Sequence, residues 1–460
     1  MKPIRRLEPE EKRKNVPEAI NSKYVAILSN MVNCKTVFTK DGSYQAEYDT
    51  FYRVLETHFP RLSQQAERLR FGSGCFVYGI HGKNAKKNVL LMSHHDVVDG
   101  SDKWKTDPFR AQIQGDSLYG RGTIDTKTPL FAELEAAEEL LAEGYEFPGI
   151  HLYIGSSNNE EVSGDGMVLA AAYFKEHGIF FDTVLDEGGA ILSGQIPGIK
   201  GKSAMIAVHE KSRHLYSCRA ESKESGHGGF GSAPVSPVVR MSRFIAEVDK
   251  AKIFRGKFYP ETKAMFSVHA PYMSFPLNFL FGNIGFFSPV IKKIMSNIPA
   301  AAPMLATGIS FQSVSGVNKE DAQRRADAVE AKMLLRCIRE DDLYAGLEKI
   351  REIAAKHDIR VTEEQRDYCK PTDFNKRPFQ ILEETLHENF PDVIVAPFLL
   401  TAGTDARRFT DVADSILRFA PIDLDKEQFA SVHGEDEHIK LNNIGQCVCF
   451  YKDFIRKMGD

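Results

Sequence analysis

Three short apolar runs between residues 88 and 185 each end in a polar cluster, and helix-patterned stretches separate them. Asn88-Val-Leu-Leu-Met92 runs into Ser-His-His-Asp96. Gly149-Ile-His-Leu-Tyr-Ile-Gly155 runs into Ser-Ser-Asn-Asn-Glu-Glu161, and Thr183-Val-Leu185 into Asp-Glu-Gly-Gly189. None of the runs has a helical period, so each reads as a strand buried on both faces. The spacers do have one. Over residues 126–144, Leu130, Leu134, Ala137 and Leu141 fall on one face, Glu133, Glu135, Glu138 and Glu139 lie around the other, and Gly144 stands just past the end. Residues 167–177 repeat the pattern and close on Gly178. This alternation predicts an α/β sheet with parallel strands, in which ligands bind beyond the carboxyl ends of the strands. The polar clusters sit at those ends.

The texture changes near residue 206. Residues 214–221 and 328–336 alternate polar and apolar, as half-exposed strands do, and residues 359–362 read as a third strand. Helical patterns cover 235–250 and 344–357. This is a separate α+β unit with an antiparallel sheet open on one face. After about residue 370 the first texture returns, with a helix at 380–389, a strand at 393–397 and a C-terminal helix at 443–457. A chain of 460 residues exceeds one compact core. The expected organisation is a domain of residues 1–205 and 369–460 interrupted by a smaller one at 206–368.

Composition excludes several classes. A net charge of -4 argues against a nucleic-acid partner. The seven cysteines are odd in number and form no Cys-x-x-Cys pair, which argues against a disulfide framework or a cysteine zinc site. The charged N-terminus is followed by no apolar core of a leader, and no run reaches the length of a membrane span. The most apolar region, 275–309, is broken by Pro276, Pro289, Pro299 and Pro303 and holds Lys292 and Lys293. It fits a greasy surface or a gripping insert better than a span. A soluble, cytoplasmic protein is the expectation.

The chemistry follows from strand geometry. Successive strand side chains point to opposite faces, so His94 and Asp96 share one face and His95 takes the other. A carboxylate two residues on suits a metal-ligating histidine, because it fixes the ring tautomer. In Gly120-Arg-Gly-Thr-Ile-Asp-Thr-Lys127, Asp125 stands at a helix start, where aspartate is also a common cap. Glu160 and Glu161, then Asp186 or Glu187, follow buried strands, and His433 of Val432-His-Gly-Glu-Asp-Glu437 precedes the last helix. Two histidines with several carboxylates and no cysteine suit a dinuclear zinc or similar divalent site. Such a site shares a carboxylate and a water between its metals. The spare glutamate is then the general base.

With these motifs in this order, the chain resembles the M20 metallopeptidases, the group of carboxypeptidase S, aminoacylase-1 and the N-acyl-amino-acid hydrolases, over roughly residues 85–450. The resemblance implies a zinc-exopeptidase-like catalytic domain with a mostly parallel sheet and an inserted α+β, ferredoxin-like lid or dimerisation domain. It implies two divalent ions, most simply Zn2+, held by His94, Asp125 as bridge, Glu161, Glu187 in preference to Asp186, and His433. Asp96 orients His94, and Glu160 is the general base. Asp125-Thr126-Lys127 stands where relatives often carry Asp-Asp-Lys. Arg407, beside Arg408 in Thr401-Ala-Gly-Thr-Asp-Ala-Arg-Arg-Phe409, would grip a substrate carboxylate through its planar fork. His227 in Ser225-Gly-His-Gly-Gly-Phe-Gly231 would donate to the oxyanion. Relatives carry an Asn-x-x-Pro turn near Asn318, and the proline is missing here. The implied substrate is a small peptide or an N-acyl amino acid, cleaved at the amide to its free amino acid. The implied assembly is a homodimer through the inserted domain.

Two other readings use the same residues. Gly226-His-Gly-Gly-Phe-Gly231 matches the glycine pattern of dinucleotide-binding oxidoreductases. The alternating strand before it, with Pro234 and Pro237 at the helix start, opposes that reading. A non-catalytic amino-acid or peptide binder would keep Arg407 but has no use for a Glu160-Glu161 pair. The apolar stretch with Phe275, Leu277, Phe279, Leu280 and Phe281 reads as an acyl pocket or as structural packing.

Overall fold

The computed structural model describes residues 6–194, 198–199, 201–222, 235–298, 301–317 and 327–460. The chain forms two units. One comprises Met1–His209, Lys263–Asn283 and Lys370–Asp460, the other Glu210–Thr262 and Ile284–Cys369.

The first unit is built on a ten-stranded mixed sheet. At its centre Ile150–Ser157, Lys87–His94, Phe181–Asp186 and Ala413–Arg418 run side by side and parallel. Both faces are covered. Val89 and Leu91 of the strand Lys87–His94 pack with Leu130, Leu134 and Phe454 of helices on one side. Leu90 and Met92 pack with Met167 and Phe174 of the helix Gly166–Glu176 on the other. A strand with two apolar faces is the reason the run has no alternation. The expected α/β architecture is therefore present. The strands Glu67–Phe71 and Cys75–Ile80 extend the sheet antiparallel at one edge, and Lys202–Glu210 extends it toward the other.

One expectation is corrected. The helix Lys127–Ala142 has no solvent face: Glu133, Glu135 and Glu138 are buried. It lies within the core cluster, between residues of Glu18–Val32 and Leu441–Gly459. Its acids therefore bond to neighbours instead of water. Ser93 Oγ donates to Glu133 at 3.0 Å, the amides of Arg61 and Leu62 donate to Glu138, and Lys23 pairs with Glu135 at 3.2 Å.

The second unit is a four-stranded antiparallel sheet in the order Gly308–Val317, Ala328–Cys337, Ser212–Glu221, Arg360–Asp367. With helices Pro237–Ala251 and Glu340–Lys356 the chain order is β-α-β-β-α-β, the ferredoxin-like arrangement. Met241, Phe244 and Val248 of the first helix and Leu343, Leu347 and Ile350 of the second share one core with Tyr216, Ala331 and Met333 of the sheet. In the apolar region Pro276 precedes the short helix Leu277–Gly282, and Pro289 lies inside the helix Ile284–Met295. Among the described residues no helix is long and apolar enough to cross a membrane.

Candidate metal centre

The parallel strands deliver their polar clusters to one place. His94 ends its strand, Glu160 and Glu161 follow Ile150–Ser157, and Asp186 ends Phe181–Asp186. Asp125 lies in the turn before the helix Lys127–Ala142, and His433 follows the short helix Lys426–Ser431. Asp125 occupies the middle. Its Oδ1 lies 2.9 Å from His94 Nε2 and its Oδ2 lies 2.9 Å from His433 Nε2. Glu161 Oε2 lies 3.2 Å from the same His433 nitrogen. Ligand atoms of His94, Asp125 and Glu161 all fall within 4.8 Å of one another. One carboxylate between two imidazoles, each facing a different oxygen, is a donor set suited to divalent cations.

Supporting bonds fix each donor. His94 Nδ1 donates to the main-chain oxygen of Asp96 at 2.9 Å, with the Asp96 carboxylate at 3.4 Å. The two Asp96 carboxylate oxygens accept the amides of Glu160 and Glu161 at 3.1 and 3.0 Å. Asp96 thus ties the histidine to the glutamate loop. His95 turns away into an aromatic cage, stacked 5.0 Å from Phe51, with Ser156 Oγ 2.8 Å from its Nδ1. The strand alternation accounts for this split.

Asp125 and His433 are held by a buried ion pair. Arg121 Nη1 meets Glu437 Oε2 at 2.6 Å, and neither side chain reaches solvent. The other Glu437 oxygen accepts the amides of Ile124 at 2.7 Å and Asp125 at 3.2 Å. Arg121 Nη2 donates to the carbonyl of Gly434, next to His433, at 2.7 Å. Neither residue is given a role by its motif alone, although both lie inside the two stretches that carry Asp125 and His433.

The centre is crowded with negative charge. Burial works to raise the Asp125 carboxyl, but His433 and His94 hold it below its ordinary range. Asp125 and Glu161 in turn raise His433 to about 10. Glu160 is pushed well above the usual carboxylate range by burial and by Asp405, Asp96 and Asp125, against the pull of His94. Burial, Asp125 and Asp186 do the same to Glu187. Asp186 rises to about 7 through burial and Asp405, although the amides of Glu187 and Ala406 donate to its two oxygens. Asp186 thus spends its oxygens on the backbone, while the Glu187 carboxylate responds to Asp125. A buried set of carboxylates with two imidazoles and no cysteine fits hard or borderline divalent cations.

Arg407 is buried in the turn Asp405–Phe409, with its guanidinium against Gly403. A Cβ at Gly403 would sit 2.3 Å from Arg407 Nη1, so a side chain there would displace the guanidinium. Asp405 is a further acid that the sequence reading passed over. Burial and the Asp96 carboxylate raise it, while Ser157 and Arg408 lower it. His227, the glycine-rich stretch 226–231 and Asn318 lie outside the described residues. In the apolar stretch, Leu277 and Phe281 pack with Ile199, Met273 and Ile394, whereas Phe275 and Phe279 are exposed.

The sequence matches peptidase family M20/M25/M40 over residues 90–457. The probable carboxypeptidase S-like 2 of Dictyostelium discoideum is 26% identical over 423 residues, which cover 90% of this chain and 80% of that protein. The N-fatty-acyl-amino acid synthase/hydrolase PM20D1 of Mus musculus is 29% identical over 380 residues, 80% of this chain and 73% of that one. The fold is shared with the M20 family metallo-carboxypeptidase Sso-CP2 from Sulfolobus solfataricus, with a TM-score of 0.66, 15% identity, and 95% of this chain and 99% of that chain covered. The chain belongs to peptidase family M20/M25/M40 and is a hydrolase of its metallo-carboxypeptidase and amidohydrolase kind.

Proposed function

We propose that this hydrolase cleaves the amide that joins an acyl group to a free amino acid, either the C-terminal residue of a small peptide or an N-acyl amino acid. The observation that carries the reading is Asp125 set between His94 and His433 at 2.9 Å on each side. His94, Asp125, Glu161, Glu187 and His433 would hold two divalent ions, with zinc the natural choice for imidazole and carboxylate donors. When bound, such ions polarise a carbonyl and bring the pKa of a shared water toward neutrality.

The protein's own residues supply the rest. Glu160 accepts the proton of the attacking water and passes it to the leaving amine. Its raised affinity for a proton suits a group that must take one and return it. Asp96 keeps the Glu160 loop and the His94 ring in fixed relation through the bonds at 2.9–3.1 Å. Arg407 would bind the free carboxylate of the amino-acid side, and His227 would donate to the oxyanion. A binder without turnover would need none of the Glu160 arrangement.

The test is amino-acid release from a panel of dipeptides and short- and long-chain N-acyl amino acids, with zinc supplied. Release from one class, lost in Glu160→Gln, supports the reading and names the acyl side. No release by a folded, metal-loaded protein from any member sinks it.

A further inference from the structure

The helix Ile284–Met295 is apolar on two sides, and among the described residues only one of them is packed. Ile284, Ile291 and Met295 are 7%, 3% and 4% exposed and form its inner face. On the opposite side, Phe286, Val290 and Ile294 follow one another at intervals of four residues and are 82%, 54% and 53% exposed. Phe275 and Phe279, in the preceding stretch, are also exposed. Isolated surface apolar residues need no explanation, but a row of three large ones along one helix does. Charge gives the second observation. From Thr262 through Lys319 the chain contains no Asp or Glu, although it has 63 in all. The charges there are lysines alone: Lys263, Lys292, Lys293 and Lys319. Lys293 is exposed on the outward side, beside Phe286 and Val290 by helical geometry.

We propose that the outward face of the helix Ile284–Met295 docks on an anionic lipid surface. An aromatic and two branched aliphatic side chains in a row would enter the boundary between headgroups and acyl chains, and Lys293, with Lys292 beside it, would meet the phosphates and carboxylates of the headgroups. A second copy of the chain fits the same face less well. A two-fold contact sets a patch against itself, and this patch would bring lysines together with no carboxylate in the segment to answer them. The helix lies flat on the surface instead of spanning it, in keeping with its 12 residues. The inference does not depend on the proposed reaction, because none of these residues belongs to the metal centre.

The experiment is flotation of the full chain with vesicles of phosphatidylcholine alone and of phosphatidylcholine mixed with phosphatidylserine. The chain is expected to float with the mixed vesicles and weakly or not at all with the neutral ones. Partitioning should fall about tenfold or more in F286S/V290S/I294S and several-fold in K292E/K293E or at raised salt. A second measurement covers the case in which the triple variant misfolds. Phe286→Trp, on a background of the single native Trp104, should shift its emission to the blue with mixed vesicles. Failure of the native chain to float, or equal flotation of the triple variant, overturns the proposal. So does an unshifted Phe286→Trp emission. A concentration-dependent dimer that the triple variant abolishes, without vesicle binding, gives the face to a second copy and overturns it too.

Discussion

The metal centre buries charge, and the helix Ile284–Met295 exposes hydrocarbon. Both break the ordinary partition of apolar groups inward and polar groups outward, in opposite senses. At the strand ends, Asp96, Asp186 and Glu437 are buried, and each has backbone amides donating to it. That wiring is expensive unless the charge has work to do. On the helix, Phe286 and its neighbours remain in water although the other face of the same helix is packed. The first violation is corrected locally, by hydrogen bonds. The second has no local correction among the described residues, and the proposed lipid surface would supply it. Departures from local consistency mark the places where a fold serves function.

Four sets of variants break or sharpen this contrast. The largest effect is expected from Glu160→Gln, which keeps shape and removes the proton acceptor. kcat should fall by about 10²–10⁴-fold, with metal content unchanged by elemental analysis. Arg121→Met leaves Glu437 buried without its cation and should cost about 3–5 kcal/mol in urea unfolding. It should also weaken metal binding by about 10–100-fold in chelator competition, because Asp125 and His433 lose a common anchor. Arg121→Lys should recover part of the stability and less of the metal affinity, since lysine lacks the planar fork.

The third concerns pH. His269 is buried, with its Nδ1 donating to the carbonyl of Met265 and its Nε2 beside Ser203 Oγ. Burial lowers it from 6.5 to about 4. The unfolded chain therefore binds this proton at a higher pH than the folded one, and stability falls as pH drops through that window. The loss is at most about 3 kcal/mol. His269→Gln should flatten the stability profile between those two pH values, and an unchanged slope would assign the loss elsewhere. The smallest effect is expected from F286S/V290S/I294S. Side chains already largely in water contribute little to folding, so the unfolding free energy from urea titration should change by about 0.5 kcal/mol or less per site. A large loss would mean that the outward face is packed in the native protein.

Much of this was legible in the sequence for a physical reason. The strands buried on both faces have no alternation, so Val89, Leu90, Leu91 and Met92 declare themselves, and the polar residues that follow mark the sheet's carboxyl edge. The His94–His95 split follows from the two-residue period alone. The helix Glu18–Val32 carries an open signal too, in Tyr24, Leu28 and Met31, but lies outside the alternation on which the fold reading rests. Other features depend on distant partners. Glu133 and Glu138 look like solvent residues until the helices around them are in place. Arg121 and Glu437 stand 316 residues apart, and nothing local pairs them. Asp405 sits in a quoted motif, yet its place near Ser157 and Asp96 exists only once two strand ends converge.

The most direct measurement is the number of zinc ions bound per chain in the native protein and in Asp125→Ala, by elemental analysis after dialysis against limiting free zinc. The account predicts two in the native protein and a loss from both sites when the shared carboxylate is removed. A native protein that binds one ion or none, or a variant that keeps two, would contradict it.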